Sequence, residues 1–246
     1  MKTIRPLLVL FLTVGCASSG EQPPAPTPAP AQAKPELDRS AHWTRNSAEY
    51  QALVRQAYNV AGERLREEVG GREGGSWAVA LDADETIIDN SAYEKELTLA
   101  GLKSTSEFWD GWVARRAAPP LPGVMEFLDL VQQLGGRIAV VTNRLEEHCA
   151  DTKANFRAFD IPFDVVLCRK DDRRKEPRWE MVENGTASAD LPPLEIVMWV
   201  GDNIRDFPDL DQDVRFESGD AFAEFGRRYF VLPNPVYGSW TGNPQN

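Results

Sequence analysis

The stretch Trp77-Ala78-Val79-Ala80-Leu81-Asp82-Ala83-Asp84-Glu85-Thr86 decides how this chain is read. Five apolar residues follow Gly74-Gly75 and run straight into acids. A continuous apolar run of that length, closed by polar residues, is the pattern of a strand buried on both faces of a parallel sheet. Asp82 and Asp84 are two apart, so on extended backbone their side chains share a face and leave the strand's carboxyl end together. That end is where open α/β sheets bind ligands. The plainer reading is an acidic loop behind a core strand, and the rest of the chain has to separate the two.

Working outward, strands and helices alternate. Before the strand, Tyr50, Leu53, Val54, Ala57, Tyr58, Ala61 and Leu65 recur at helical spacing between Ser47 and Val69. Ser47 is the expected cap, Gly70-Gly71 the stop, and Tyr50 and Tyr58 are read as core. After it, residues 89–120 form a polar insertion with Phe108, Trp109 and Trp112, closed by Pro119-Pro120-Leu121-Pro122-Gly123. An insertion just past a strand's active end can cover the cleft as a small helical cap, although aromatics three apart more often mean core. A helix is expected over Val124 to Leu134, and another from Glu146 to Phe159. Further strands are expected at 137–141, 163–167, 196–200 and 228–232. The expected fold is therefore α/β: a doubly wound parallel sheet with N-terminal helices and a helical cap insertion.

Composition bounds the chemistry. The 246-residue chain carries a formal charge of −11 with a pI near 4.8, which argues against a nucleic-acid partner. It has only two histidines, His42 and His148, so multi-histidine metal centres and a histidine nucleophile are set aside. A metal here would be hard and oxygen-held, Mg²⁺ or its like. At the start, Lys2 and Arg5 precede an apolar run from Leu7 to Val14 that ends Gly15-Cys16. It is too short to span a bilayer and reads as a signal over 1–15. A Cys after Gly15 resembles a bacterial lipobox, in which Cys16 is lipidated; the other reading is a soluble exported protein. Residues 16–40, rich in Pro and Ala, read as a spacer ahead of a folded region over 41–246.

Strand ends collect the polar groups: Asp82 and Asp84, then Thr142-Asn143, then Lys175 from a following helix, then Asp202 and Asp206 in Gly201-Asp202-Asn203-Ile204-Arg205-Asp206. Phosphoryl transfer needs this kit of an oxygen nucleophile, an acid for the leaving group, a divalent ion, and cations on the phosphate. Crowded carboxylates repel unless they share a cation, so Asp82 and Asp202 suggest a Mg²⁺ site. Lys170 and Arg174 lie close to Lys175 in the same basic stretch.

With its Asp-x-Asp-x-Thr, Thr, Lys and Gly-Asp-x-x-x-Asp stations, the sequence resembles the haloacid dehalogenase superfamily of phosphatases. Within it, Trp43 to Leu65, Leu81 to Tyr93, Phe108 to Val113, Val141 to Arg144, Gly201 to Phe207 and Phe230 to Gly238 are similar to the class C acid phosphatases, bacterial outer-membrane lipoproteins that act as 5′-nucleotidases. The resemblance implies that Asp82 is the nucleophile and Asp84 the general acid and base. It implies that Asp82, the Asp84 carbonyl and Asp202 hold Mg²⁺, with Asp206 behind them. Thr142, Asn143 and Lys175 would bind phosphate, and Trp109 and Tyr237 would stack on a nucleobase. Tyr237 could instead only pin the C-terminal tail. Ala83 stands where the family usually has leucine.

Three further expectations complete the reading. Cys149 and Cys168, not obviously adjacent, are taken as free, partly buried thiols, although export permits a disulfide. His148 is taken as a solvated helix residue and Glu85 as a solvated neighbour without a role. The function expected is a Mg²⁺-dependent acid phosphatase acting on nucleoside 5′-monophosphates, anchored at the outer membrane by lipid, with a homodimer open. The alternatives are a broad phosphatase or phosphotransferase on sugar and other small esters, and a non-enzymatic binding lipoprotein.

Overall fold

The computed structural model describes residues 36–245. The signal, Cys16 and most of the Pro/Ala spacer lie outside the described residues. Strands β1 (Trp77–Leu81), β2 (Arg137–Leu145), β3 (Val165–Arg169), β4 (Glu195–Gly201) and β5 (Tyr229–Val231) form one sheet in the order β3-β2-β1-β4-β5, all parallel. β1 is buried along its whole length, as its uninterrupted apolar run requires. The chain winds from β1 out through β2 to β3, then crosses back to β4. This puts a topological switch beside β1, at whose carboxyl end a crevice must open.

Side-chain alternation splits the core in two. Val79 and Leu81 point into one layer with Ile138, Val140 and Phe156, and with Val54, Tyr58 and Leu65 of α2 (Ala48–Glu68). Ala78 and Ala80 point into the other, with Trp179, Val182, Ile196, Trp199 and Phe207. Helices on both faces make the doubly wound layering expected. Ser47 caps α2 as expected, its hydroxyl accepting from the Tyr50 amide at 3.0 Å, and Tyr50 and Tyr58 are buried core. A further helix, α1 (Arg39–Asn46), precedes it, capped by Asp38. Gly136, at the start of β2, is a close-approach site. A Cβ there would sit 2.2 Å from the Trp77 ring, so only glycine lets β1 and β2 pair at that point.

The insertion consists of α3 (Ser91–Ala100) and α4 (Ser106–Arg115). Its two ends are paired backbone to backbone: the Asp89 amide donates to Pro119 (2.8 Å) and the Leu121 amide to Ile87 (2.9 Å). The remaining helices are α5 (Val124–Gln133), α6 (Cys149–Ala158) and α7 (Glu176–Glu183). Among the described residues, no helix is long and apolar enough to cross a membrane.

Three readings need correction. β3 begins two residues later than expected, because the Asp164 carboxylate is occupied in accepting from the Ile138 amide (2.7 Å) and closes the strand's entry. Cys168 lies within this strand, on the Val166 face, against the first turn of α6. Cys149 and Cys168 are therefore disulfide-bonded, with Cα atoms 5.8 Å apart, and are not free thiols. His148 is buried, not solvated, and pairs through Nε2 with Asp110 of α4 at 2.9 Å.

Candidate active site

Asp82 follows β1 directly, and its amide donates to Val200 of β4 at 3.0 Å, which fixes it at the switch point. Its carboxylate meets Lys175 Nζ at 2.5 Å, and the same ammonium lies 2.7 Å from Asp206. Lys175, at the start of α7, is 2% exposed. A cation buried to that degree persists only with anionic partners, and here it has two. Asp202 leaves the end of β4 and accepts from Asn234 Nδ2 at 2.7 Å. Asp206 sits in a short capping box in which Asn203 and Asp206 satisfy each other's backbone. Gly201 makes room for it: a Cβ at 201 would lie 2.3 Å from the Asp206 carboxylate.

Carboxylate oxygens of Asp82, Asp202 and Asp206 all lie within 4.8 Å of one another. Burial pushes the Asp82 carboxyl up to about 7, with Lys175 pulling against it and Asp206 and Asp84 adding to the rise. Burial, with Asp206 and Asp82 next, likewise drives Asp202 well above the usual carboxylate range. Three hard oxygen donors crowded to this extent, with the charge on Asp82 and Asp202 disfavoured by burial, fit a divalent cation.

Asp84 shares the strand end but not these neighbours. Arg144, 4% exposed, grips it through Nε (3.0 and 3.1 Å to the two oxygens) and Nη2 (2.7 Å). Asn90 Nδ2 donates to the same carboxylate at 2.8 Å. The chain then turns at Glu85, whose φ of 51° is in the left-handed region, where a non-glycine residue is uncommon. The Glu85 side chain is buried and accepts from the Asn90 amide at 2.9 Å, so it is a structural partner and not a solvated neighbour. Burial, with Asp84 beside it, raises its carboxyl well above the usual range.

Thr142 and Asn143 lie on the extension of β2. Thr142 is fully buried and its hydroxyl accepts from the Arg144 amide at 3.1 Å. Arg178 donates to the Thr142 carbonyl and, at 2.8 Å, to Asn143 Oδ1. A cavity of about 700 Å³ opens over this edge, lined by Asp82, Asp84, Asn143, Lys175, Asp202 and Tyr237 among others. Trp109 is not among the lining residues. Its ring stands edge-on to Tyr93 at 5.4 Å and 5.4 Å from the Arg144 guanidinium.

The structure thus gathers every acid, the lysine and Tyr237 at one cavity, and leaves Trp109 packed against Arg144. Sequence reasoning assigned no role to Arg144, Asn90, Glu85, Arg178 or Asn234. Arg144 carried a signal, being next to Thr142-Asn143 on a strand end; the others carried none beyond their polar character.

With this geometry in view, the comparisons with known proteins agree on a class. Residues 16–240 match the model of the HAD superfamily, subfamily IIIB (acid phosphatase), and the chain belongs to that family. It is therefore of the phosphomonoesterase class. Among individual proteins, it is 28% identical over 167 residues to acid phosphatase 1 of Solanum lycopersicum, an alignment covering 64% of this chain and 57% of that protein's length. The class C acid phosphatase of Bacillus anthracis superposes with a TM-score of 0.74 at 28% identity, covering 84% of this chain and 89% of that one. A second structure of the same Bacillus anthracis enzyme, with tungstate bound, gives 0.74 at 27% identity over the same shares.

Proposed function

We propose that this chain is a Mg²⁺-dependent acid phosphatase that hydrolyses phosphate monoesters, nucleoside 5′-monophosphates among them, through an aspartyl-phosphate on Asp82. One observation carries the reading: two acids on one strand end have been given opposite surroundings. Asp82 lies among carboxylates and a buried lysine, whereas Asp84 lies in an arginine-amide cradle.

The residues divide the work. Lys175, Thr142 and the Asn143 amide bind the phosphoryl oxygens, and Lys175 holds the Asp82 carboxylate facing them. An Asp82 oxygen attacks phosphorus. The bond from phosphorus to the ester oxygen breaks, and that oxygen takes the bond's electron pair and the Asp84 proton, leaving as an alcohol. Asp84 then accepts a proton from the water that attacks the aspartyl-phosphate, which releases phosphate and restores both acids. Asp82, the Asp84 carbonyl and Asp202, with Asp206 behind, are the residues that would hold Mg²⁺. The ion, when bound, supplies neutralisation of the acids and of the charge on the transferring group. The tungstate held by the Bacillus anthracis enzyme supports an oxyanion site of this kind here.

For substrate, Tyr237 on the cavity wall is the aromatic for stacking on a base, with Trp109 the second. The absence of Trp109 from the lining favours a second reading, a broader phosphatase on sugar and other small esters. The N-terminal Gly15-Cys16 supports lipid anchoring at the outer membrane as part of the proposal, and a homodimer remains part of it. Turnover of AMP, a sugar phosphate and an aryl phosphate, with and without chelator, tests the whole. Activity should vanish with chelator and return with Mg²⁺. Full chelator-insensitive turnover would sink the metal, and a Tyr237→Ala variant with unchanged relative rates would favour the broader substrate range.

A further inference from the structure

Asn90 stands at a node that the reaction scheme above does not use. It is 1% exposed, and its polar atoms are all engaged. Side-chain Nδ2 donates to Asp84 Oδ1 (2.8 Å) and Glu85 Oε2 (3.3 Å). Oδ1 accepts from Trp112 Nε1 (2.7 Å) and Arg144 Nη2 (3.3 Å), and the backbone amide donates to Glu85 Oε1 (2.9 Å). An amide has two donor hydrogens and two acceptor lone pairs, so this side chain is saturated and can stand only one way round. Its nitrogen faces two carboxylates, and its oxygen faces an indole N–H and a guanidinium. A buried polar network with every member satisfied is rigid, and removing one member leaves another unpaired.

Trp112 belongs to α4, in the insertion, and is itself buried. The insertion therefore reaches Asp84 through a hydrogen-bonded relay, from the indole N–H to the Asn90 amide to the carboxylate. Arg144 closes the ring from the other side and gives its remaining nitrogen to Thr152 Oγ1 at 3.2 Å. Trp109, one residue-triplet before Trp112 on the same helix, lies against that guanidinium.

We propose that Asn90 is a positioning residue for Asp84, and that Trp112 sets it, so that α4 fixes the direction in which the acid offers its proton. The inference rests on the general-acid role given to Asp84 above. It makes no contact with phosphate and should leave substrate binding alone. What it governs is the proton delivered to the departing ester oxygen as the bond to phosphorus breaks.

The test uses that distinction. An alkyl phosphate has a poor leaving group and needs the proton, whereas a nitrophenyl phosphate departs nearly unaided. The quantity to read is kcat/KM, which reports steps up to leaving-group departure. Trp112→Phe keeps an aromatic in the core and deletes the N–H, and Asn90→Ala deletes the node; thermal melting checks that each folds. Either variant should lose ~30-fold in kcat/KM on the alkyl ester, part of the roughly 10²–10⁴-fold a general acid contributes. Loss on the nitrophenyl ester should stay within about 3-fold, since little proton transfer is needed there. Equal losses on both esters, or no loss in the folded Trp112→Phe variant, overturn the proposal. Wild-type protein that cleaves neither ester would instead refute the phosphatase reading itself.

Discussion

Asp82 and Asp84 are separated by one alanine, yet the groups around them have little in common. The Asp82 side is rich in negative charge, with Asp202 and Asp206 against the single cation of Lys175. The Asp84 side is balanced, with a guanidinium and an amide donating chiefly to Oδ1 while the residue still lines the cavity. The first arrangement is electrostatically incomplete without a further cation. The second is complete as it stands. A nucleophile that must meet an anion gains from the former, and an acid that must keep one orientation gains from the latter. Two roles can thus be drawn from one residue type, two positions apart, by environment alone.

The comparison can be broken most severely at Asp82. Asp82→Asn keeps the shape and removes the attacking oxygen's charge, and turnover should fall by at least ~10³-fold, read as steady-state phosphate release. Next comes Lys175→Met, which strands two buried acids. It should cost about 3–5 kcal/mol in urea unfolding without added divalent ion. Added Mg²⁺ should recover part of that loss if the acid-rich side takes a cation. Gly201→Ala attacks the same side sterically, since the new Cβ meets the Asp206 carboxylate; a destabilisation of ~1–3 kcal/mol is expected in the same assay. On the balanced side the smallest change is Thr152→Val, which takes one acceptor from Arg144 and leaves its grip on Asp84 intact. About 1 kcal/mol is expected, with no response to Mg²⁺. A Mg²⁺ response there equal to that of Lys175→Met would erase the distinction.

The two sides also differed in how far they could be read before the fold was seen. The acid-rich side is built from strand ends, and strand ends announce themselves: apolar runs closed by Asp82, Thr142 and Gly201-Asp202 place their polar residues at one edge once the sheet is parallel. Lys175 followed from the family resemblance, by its spacing to Arg178-Trp179. The other side depends on α4 folding back so that Trp112 meets Asn90, and no local pattern encodes that return. Trp112 showed only the helical spacing of a core residue, which it is; its N–H was the part that spacing could not see. Glu85 was misread because an acid after a strand is usually wet, and here a left-handed backbone turns it inward. The disulfide turned on packing: a helix start and a strand end were the expected places of Cys149 and Cys168, and what spacing could not show is that α6 lies on β3 so as to bring them together.

The pairing of Asp89 with Pro119 and of Leu121 with Ile87 has a consequence for how such an enzyme can diversify. Because the insertion leaves and re-enters the sheet through clasped backbones, the core registers the chain between them only through the residues it buries, Tyr93, Leu97, Trp112 and Val113 among them. Loop-closure cost grows only as the logarithm of length, ~0.6 kcal/mol per doubling. Residues can be added or lost in the exposed turn 101–105 between α3 and α4 at small thermodynamic expense, so that the outer surface of the insertion is open to drift. The buried face is the counterpart that cannot drift, since there the indole of Trp112 ties the insertion to the proton donor through Asn90.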